Sequence, residues 1–173
     1  MGKKVIRCNL NSSSIDDAIR ELETYKVEFL KKVDKYRQRV ADEIAVSASF
    51  NFGSALMEDK LRGGMRKPNV KVNVDERGSI SVVVANGEDA VWCEFGAGVY
   101  HNGAVGSSPN PYGSKLGLTI GSYGEGYGKK TAWGYYENGQ LVITRGTPAS
   151  MPMYNAAQEV TKRAIEIARE VWQ

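Results

Sequence analysis

The sequence predicts an α+β fold: a long N-terminal helix, a small antiparallel sheet of hairpins carrying a long glycine-rich loop, and a C-terminal helix packed on the sheet. Three observations predict it. Apolar residues recur with helical period from Ile15 to Val40, the period changes to two from Val70 to Val84, and helical spacing returns from Met153 to Val171. At 173 residues the chain has the size of one domain, and it buries enough surface to need neither disulfides nor a structural metal.

The first helix is read over 14–58, as one helix or a pair. Ile15, Leu22, Phe29 and Tyr36 repeat every seven residues, and Ile19, Val33 and Val40 add a second row that Lys26 interrupts. Ser14 with Asp17 makes an Asp-type capping box at its start. The pattern runs on through Ile44, Ala48, Leu56 and Met57, with a kink or split expected at Asn51-Phe52-Gly53-Ser54. A helix of this length exceeds what a small sheet can cover, so part of it is expected to project or to pack on another subunit.

A basic loop follows. Between Lys60 and Val74 stand Lys60, Arg62, Arg66, Lys67 and Lys71 with no acid, and Gly63, Gly64 and Pro68 lie among them. Val70, Val72 and Val74 then alternate with polar residues, Asp75 to Ser79 turn, and Ile80, Val82 and Val84 resume. Asn86-Gly87-Glu88-Asp89 reads as a second turn and Ala90 to Phe95 as a third strand, completing a meander over 70–95 in which Glu94 is exposed or paired.

Residues 96–131 differ in kind. Glycines, Pro109 and Pro111 are interspersed with Tyr100, Tyr112, Tyr123 and Tyr127, a mixture that favours a mobile segment ordering against a partner. Tyr135, Tyr136, Asn138-Gly139 and Leu141 to Thr144 form the strongest hairpin signal, read over 132–145. Ser150 is the expected N-cap of a helix over 150–172, with Pro152 in its first turn and Met153, Ala157, Val160, Ala164, Ile167 and Val171 on one face.

Composition narrows the function. The net charge of +3 is too small by itself to mark a nucleic-acid binder, and no stretch approaches the roughly 18 apolar residues of a membrane span. The expected location is therefore a cytoplasm, unless the protein leaves it in a particle. Cys8 and Cys93 are too few for a zinc site and read as spectator thiols. A cysteine hydrolase would need Cys93 beside His101, the only histidine, yet the eight-residue spacing does not bring them together. The run Gly121 to Lys130 lacks the strand before it and the helix after it that a phosphate loop requires. The stretch Lys60 to Lys71 remains open as a nucleic-acid contact, although no aromatic interleaves its charges. Trp92, Trp133 and Trp172 are assigned to packing or subunit contacts.

Three stretches together resemble a known family: Val91-Trp92-Cys93-Glu94-Phe95-Gly96-Ala97-Gly98, Gly134-Tyr135-Tyr136, and Thr144-Arg145-Gly146-Thr147-Pro148-Ala149-Ser150-Met151-Pro152-Met153-Tyr154. Their order, over Ser14 to Trp172, is similar to that of the tail-component proteins of long-tailed phages, the tail-completion, neck or head–tail joining family. This chain departs from the family pattern in Cys93 and in the length of its insertion, 99–130.

The resemblance implies a structural protein without enzymatic activity, cofactor or metal, found in a phage or prophage virion at the head–tail junction after synthesis in the bacterial cytoplasm. The implied partners are copies of itself in a ring, six in the particle with a monomer allowed for the free protein, the tail-tube protein, and a head-side connector or head-closure protein. DNA would pass transiently through the channel, and no membrane is involved. Glu94, Phe95, Gly96, Arg145, Gly146, Pro148, Ala149, Pro152 and Met153 would be structural. Arg62, Arg66 and Lys67 would face the channel, and Tyr100, Tyr112, Tyr123 and Tyr127 would meet partners.

Overall fold

The computed structural model describes residues 5–58, 64–98, 110–116, 133–144 and 146–173. The fold is α+β, with a long N-terminal helix, a small two-stranded antiparallel sheet and a closing helix.

Helix α1 spans Ser12–Ser54 without a break, 43 residues and about 65 Å at 1.5 Å per residue. Its start corrects the expected Ser14 cap. Asn11 is the N-cap, with its side-chain oxygen accepting the Ser14 amide at 2.8 Å, while the Ser14 hydroxyl accepts the Asn9 amide. Asn is among the strongest N-caps and stands one turn earlier than the serine that the capping-box spacing selected. The helix does not split at Asn51 to Ser54, because one glycine facing open space costs a helix little. The helix instead ends at Ala55, whose amide closes the last turn onto Asn51 and Phe52, so Leu56 and Met57 lie outside it.

Short strands β1 (Met57–Glu58) and β2 (Met65–Arg66) pair antiparallel, which places Arg66 of the basic stretch in β2. Strands β3 (Lys71–Arg77) and β4 (Ile80–Asn86) form the main hairpin, with Arg77 opposite Ile80 and Lys71 opposite Asn86. Only Gly78 and Ser79 turn, so Asp75 to Arg77 belong to the strand and not to the expected five-residue turn. Gly78 at φ 61° supplies the left-handed residue such a tight turn needs.

The expected third strand is a helix. α2 covers Ala90–Phe95 and buries Ala90, Cys93 and Glu94, spaced as neighbours on one helical face. Six residues are too few for periodicity to separate the two possibilities, and the tight turn at Gly87 sends the chain away from the β4 edge. β5 (Ala97–Gly98) then pairs with β8 (Gly146–Thr147), and β6 (Trp133–Glu137) with β7 (Gln140–Thr144). Positive φ at both Asn138 and Gly139 is the turn that Asn-Gly dictates.

Helix α3 covers Pro152–Trp172 and runs back along α1: Asn51 donates to the Pro152 carbonyl near one end, and Trp172 meets Phe29 and Tyr36 at the other. Ala41 and Ala48 on α1 and Ala156, Val160, Ile167 and Val171 on α3 are buried, and their small members allow close approach of the axes. Of the expected α3 stripe, Met153, Ala157 and Ala164 are half-buried, and Pro152 and Ala156 are buried in their stead. The main core lies at the C-terminal end of α1, where Phe52, Ala55, Met57, Ala90 and Cys93 cluster against Val70, Val72, Ala85, Trp92 and Met153. The far end of the β3–β4 hairpin is tied to α1 by the Arg37 guanidinium, which donates to Glu76 and Ser81.

Candidate functional site

The two separated motifs that carry the family resemblance meet in one buried joint. β5 and β8 pair Ala97 with Thr147 and Gly98 with Gly146. Immediately before β5, Gly96 takes φ 80° and closes α2 onto the Trp92 carbonyl. The Cys93 carbonyl accepts the amides of Ser150 and Met151 as well as the Ser150 hydroxyl. Met151, in the left-handed region at φ 51°, turns the chain into α3 with Pro152 as its first residue.

Glu94 is the centre of this joint. It is 7% exposed, and its carboxylate accepts the Met153 amide at 2.8 Å on Oε2, and the Tyr154 amide at 3.0 Å and the Asn110 side-chain amide at 2.8 Å on Oε1. A helix start leaves amides unsatisfied and carries partial positive charge, so a carboxylate delivered from α2 caps α3 from outside its own sequence. This corrects the expected Ser150 cap: Ser150 is spent on the Cys93 carbonyl, and Glu94 supplies the oxygen atoms. Of the two expectations for Glu94, exposure is excluded and pairing holds, with three N–H donors as the partners. Asn110, 2% exposed, is positioned in turn by its Oδ1 accepting the Tyr112 amide, and Tyr112 stacks edge-on against Tyr154 at 6.2 Å. Sequence reasoning missed Asn110. Its signal was a single polar residue held between Pro109 and Pro111, which nothing in the spacing connects to Glu94.

Of the remaining motif residues, Phe95, Pro148 and Ala149 are half-buried beside this joint and Gly96 is buried. Arg145 lies outside the described residues, as do Lys60, Arg62, Tyr100, His101, Tyr123 and Tyr127. Tyr112 is exposed and has the Lys115 ammonium 5.5 Å from its ring centroid.

The basic stretch is partly spent inside the chain. Arg66 makes a two-pronged pair with Asp89 at 2.6 and 2.8 Å, and Asp89 also accepts the Asn69 amide. The pair pins the segment before β3 to the start of α2. Lys67 is exposed and donates to the Gly53 carbonyl at the end of α1. Lys71 is exposed at the start of β3. Phosphate contact therefore finds Arg66 already committed to a carboxylate.

Cys93 is fully buried, and burial followed by the nearby Asp89 carboxylate pushes its thiol up to about 11. A thiol so placed stays protonated near neutral pH and is a poor nucleophile. Among the described residues, no three His, Cys, Asp or Glu side chains group to hold a metal ion, and no helix is long and apolar enough to cross a membrane.

The third feature is the N-terminal half of α1. No residue of α1 before Ala41 is buried, and Ile15, Ile19, Leu22, Phe29 and Val33 form an exposed apolar row. α3 ends against Phe29 and Tyr36, so residues 12–28, about 25 Å of helix, run past its end. Comparisons with protein-family models, curated proteins and solved structures find no match for this chain.

Proposed function

We propose that this chain is a structural subunit of a phage or prophage particle that joins or completes the tail at the head–tail interface, assembling there as a ring of six copies. The observation that carries the reading is the joint itself. The Glu94-Phe95-Gly96 and Gly146 to Met153 segments, which define the resemblance, come together through β5–β8 pairing and the Glu94 cap. The projecting apolar half of α1 supports it, since a ring subunit needs surface that its own fold leaves uncovered. The exposed Tyr112 belongs to the insertion assigned to the tail-tube or head-side partner. Synthesis in the host cytoplasm and residence in the virion follow from this role.

Deleting the gene from a particle-producing strain tests the reading. The expected result under electron microscopy is filled heads and separate tails, restored to joined particles by the gene in trans. Normal infectious particles from the deletion strain overturn it. Sequencing the flanking DNA gives an independent check, with portal, capsid and head-closure frames expected on one side and tail-tube and tape-measure frames on the other.

A further inference from the structure

Two exposed apolar surfaces lie at opposite ends of α1. One is the row Ile15, Ile19 and Leu22 on the projecting half, where residues 12–28 carry five acids (Asp16, Asp17, Glu21, Glu23, Glu28) against Arg20 and Lys26. The other is formed at the C-terminal end of the helix by Val46, 71% exposed, and Phe50, 74% exposed, one turn apart, with Leu56 and Met65 exposed in the segments that follow. Lys67 is fastened to the Gly53 carbonyl beside this second surface; of the five bases from 46 to 74, Arg66 is paired with Asp89, Lys60 and Arg62 lie outside the described residues, and Lys67 and Lys71 are exposed cations.

Leu22 and Phe50 are 28 residues apart on one unbroken helix, about 42 Å, so no single copy can bring its own two surfaces together. Nor do the projecting halves suit one another. Each is net negative over residues 12–28 and has Lys26 in its apolar row, so pairing two of them sets like charge against like in either orientation. The surface whose charge is opposite and whose centre is apolar is the Val46–Phe50 end of another copy.

We infer that the occupant of the projecting half of α1 is a second copy of this chain: the Ile15, Ile19 and Leu22 row of one copy seats on the Val46, Phe50, Leu56 and Met65 surface of the next, with the acids of the first beside Lys67 of the second. This is a head-to-tail contact between unlike surfaces, which propagates until rotation closes it into a ring or leaves an open filament. It deepens the ring reading above and rests on that reading for closure, while the contact itself is measurable without any tail component.

Two double variants on exposed positions test it, Ile19→Asp with Leu22→Asp for the projecting surface and Val46→Asp with Phe50→Asp for the receiving one, each checked for unchanged helicity by circular dichroism. In sedimentation velocity the unmodified chain is expected to grow beyond dimer with concentration. Each variant alone should associate at least tenfold more weakly. An equimolar mixture should form a dimer and stop there, because it has one intact surface of each kind per junction. Raising the salt from 50 to 500 mM should weaken the association of the unmodified chain. Any of three results overturns the inference: an unmodified chain that stays monomeric to several hundred micromolar, a receiving-surface variant that self-associates like the unmodified chain, or a mixture that forms no dimer. Joined particles that still require the gene alongside such a result would leave the tail reading standing and the contact rejected, whereas normal particles without the gene would reject the tail reading whatever the mixture does.

Discussion

Glu94 is a charge kept inside the fold by the number of donors it meets. Three hydrogen bonds, two of them to amides at a helix start, offset the cost of taking the carboxylate out of water. Glu94→Ala removes the acceptor and leaves those amides and the Asn110 side chain buried without it, so a loss of roughly 3 kcal/mol is expected in urea unfolding. Glu94→Gln keeps the shape and one acceptor and is expected to lose about half as much. Equal stability of both variants and the parent would show that the cap contributes nothing. Cys93 gives a second prediction at this scale. Its raised value, about 11 against 9.0 for an ordinary thiol, means that the folded state holds the proton more tightly than the unfolded chain. The resulting stability is fully present below about pH 9 and is lost as the pH rises through 11. In the native protein a thiol-reactive disulfide should label exposed Cys8 at once and Cys93 only on unfolding. Equal labelling rates would mean that the core opens readily.

Among the elements, the glycines divide by what a side chain would meet. At Gly87, φ is 145° and an added Cβ would stand 2.1 Å from the Asn69 carbonyl oxygen, in the turn between β4 and α2. Gly87→Ala is expected to cost about 2 kcal/mol or more. At Gly53, in the last turn of α1, the same atom meets nothing within 4 Å, and Gly53→Ala should stabilise by roughly 0.5–1 kcal/mol. Thermal melts of the two variants should therefore move in opposite directions, and a shift in the same direction would refute the account. The same turn explains why Ala90 to Phe95 misleads a reader of the sequence. As a strand it would place Cys93 and Phe95 on one side and Glu94 on the other, whereas as a helix it brings Cys93 and Glu94 together, one into the core and the other onto α3. The Asn-Gly hairpin of β6 and β7 and the alternating valines of β3 and β4 were legible because their signals are local.

For the whole molecule, the core and the α1–α3 seam both lie beyond Phe29, and the arms that hold α1, Arg37 to Glu76 and Trp172 to Tyr36, do as well. Removing residues 1–23 should leave the melting temperature within a few degrees of the parent, because none of the described residues lost is buried. A collapse of cooperative unfolding would show that the projecting half stabilises its own subunit. The sequence by itself determined the long helix, the two hairpins, the closing helix and the excess of apolar surface on α1, since periodicity and turn chemistry are written in neighbouring residues. It did not determine that Glu94 caps α3, that Asn110 joins it, or that Arg66 is bound to Asp89, which are contacts between residues 16 to 60 positions apart. Only the tertiary structure decided those, because hydrogen bonds and ion pairs act through space, and spacing along a chain does not state which distant groups its folding will bring within 3 Å.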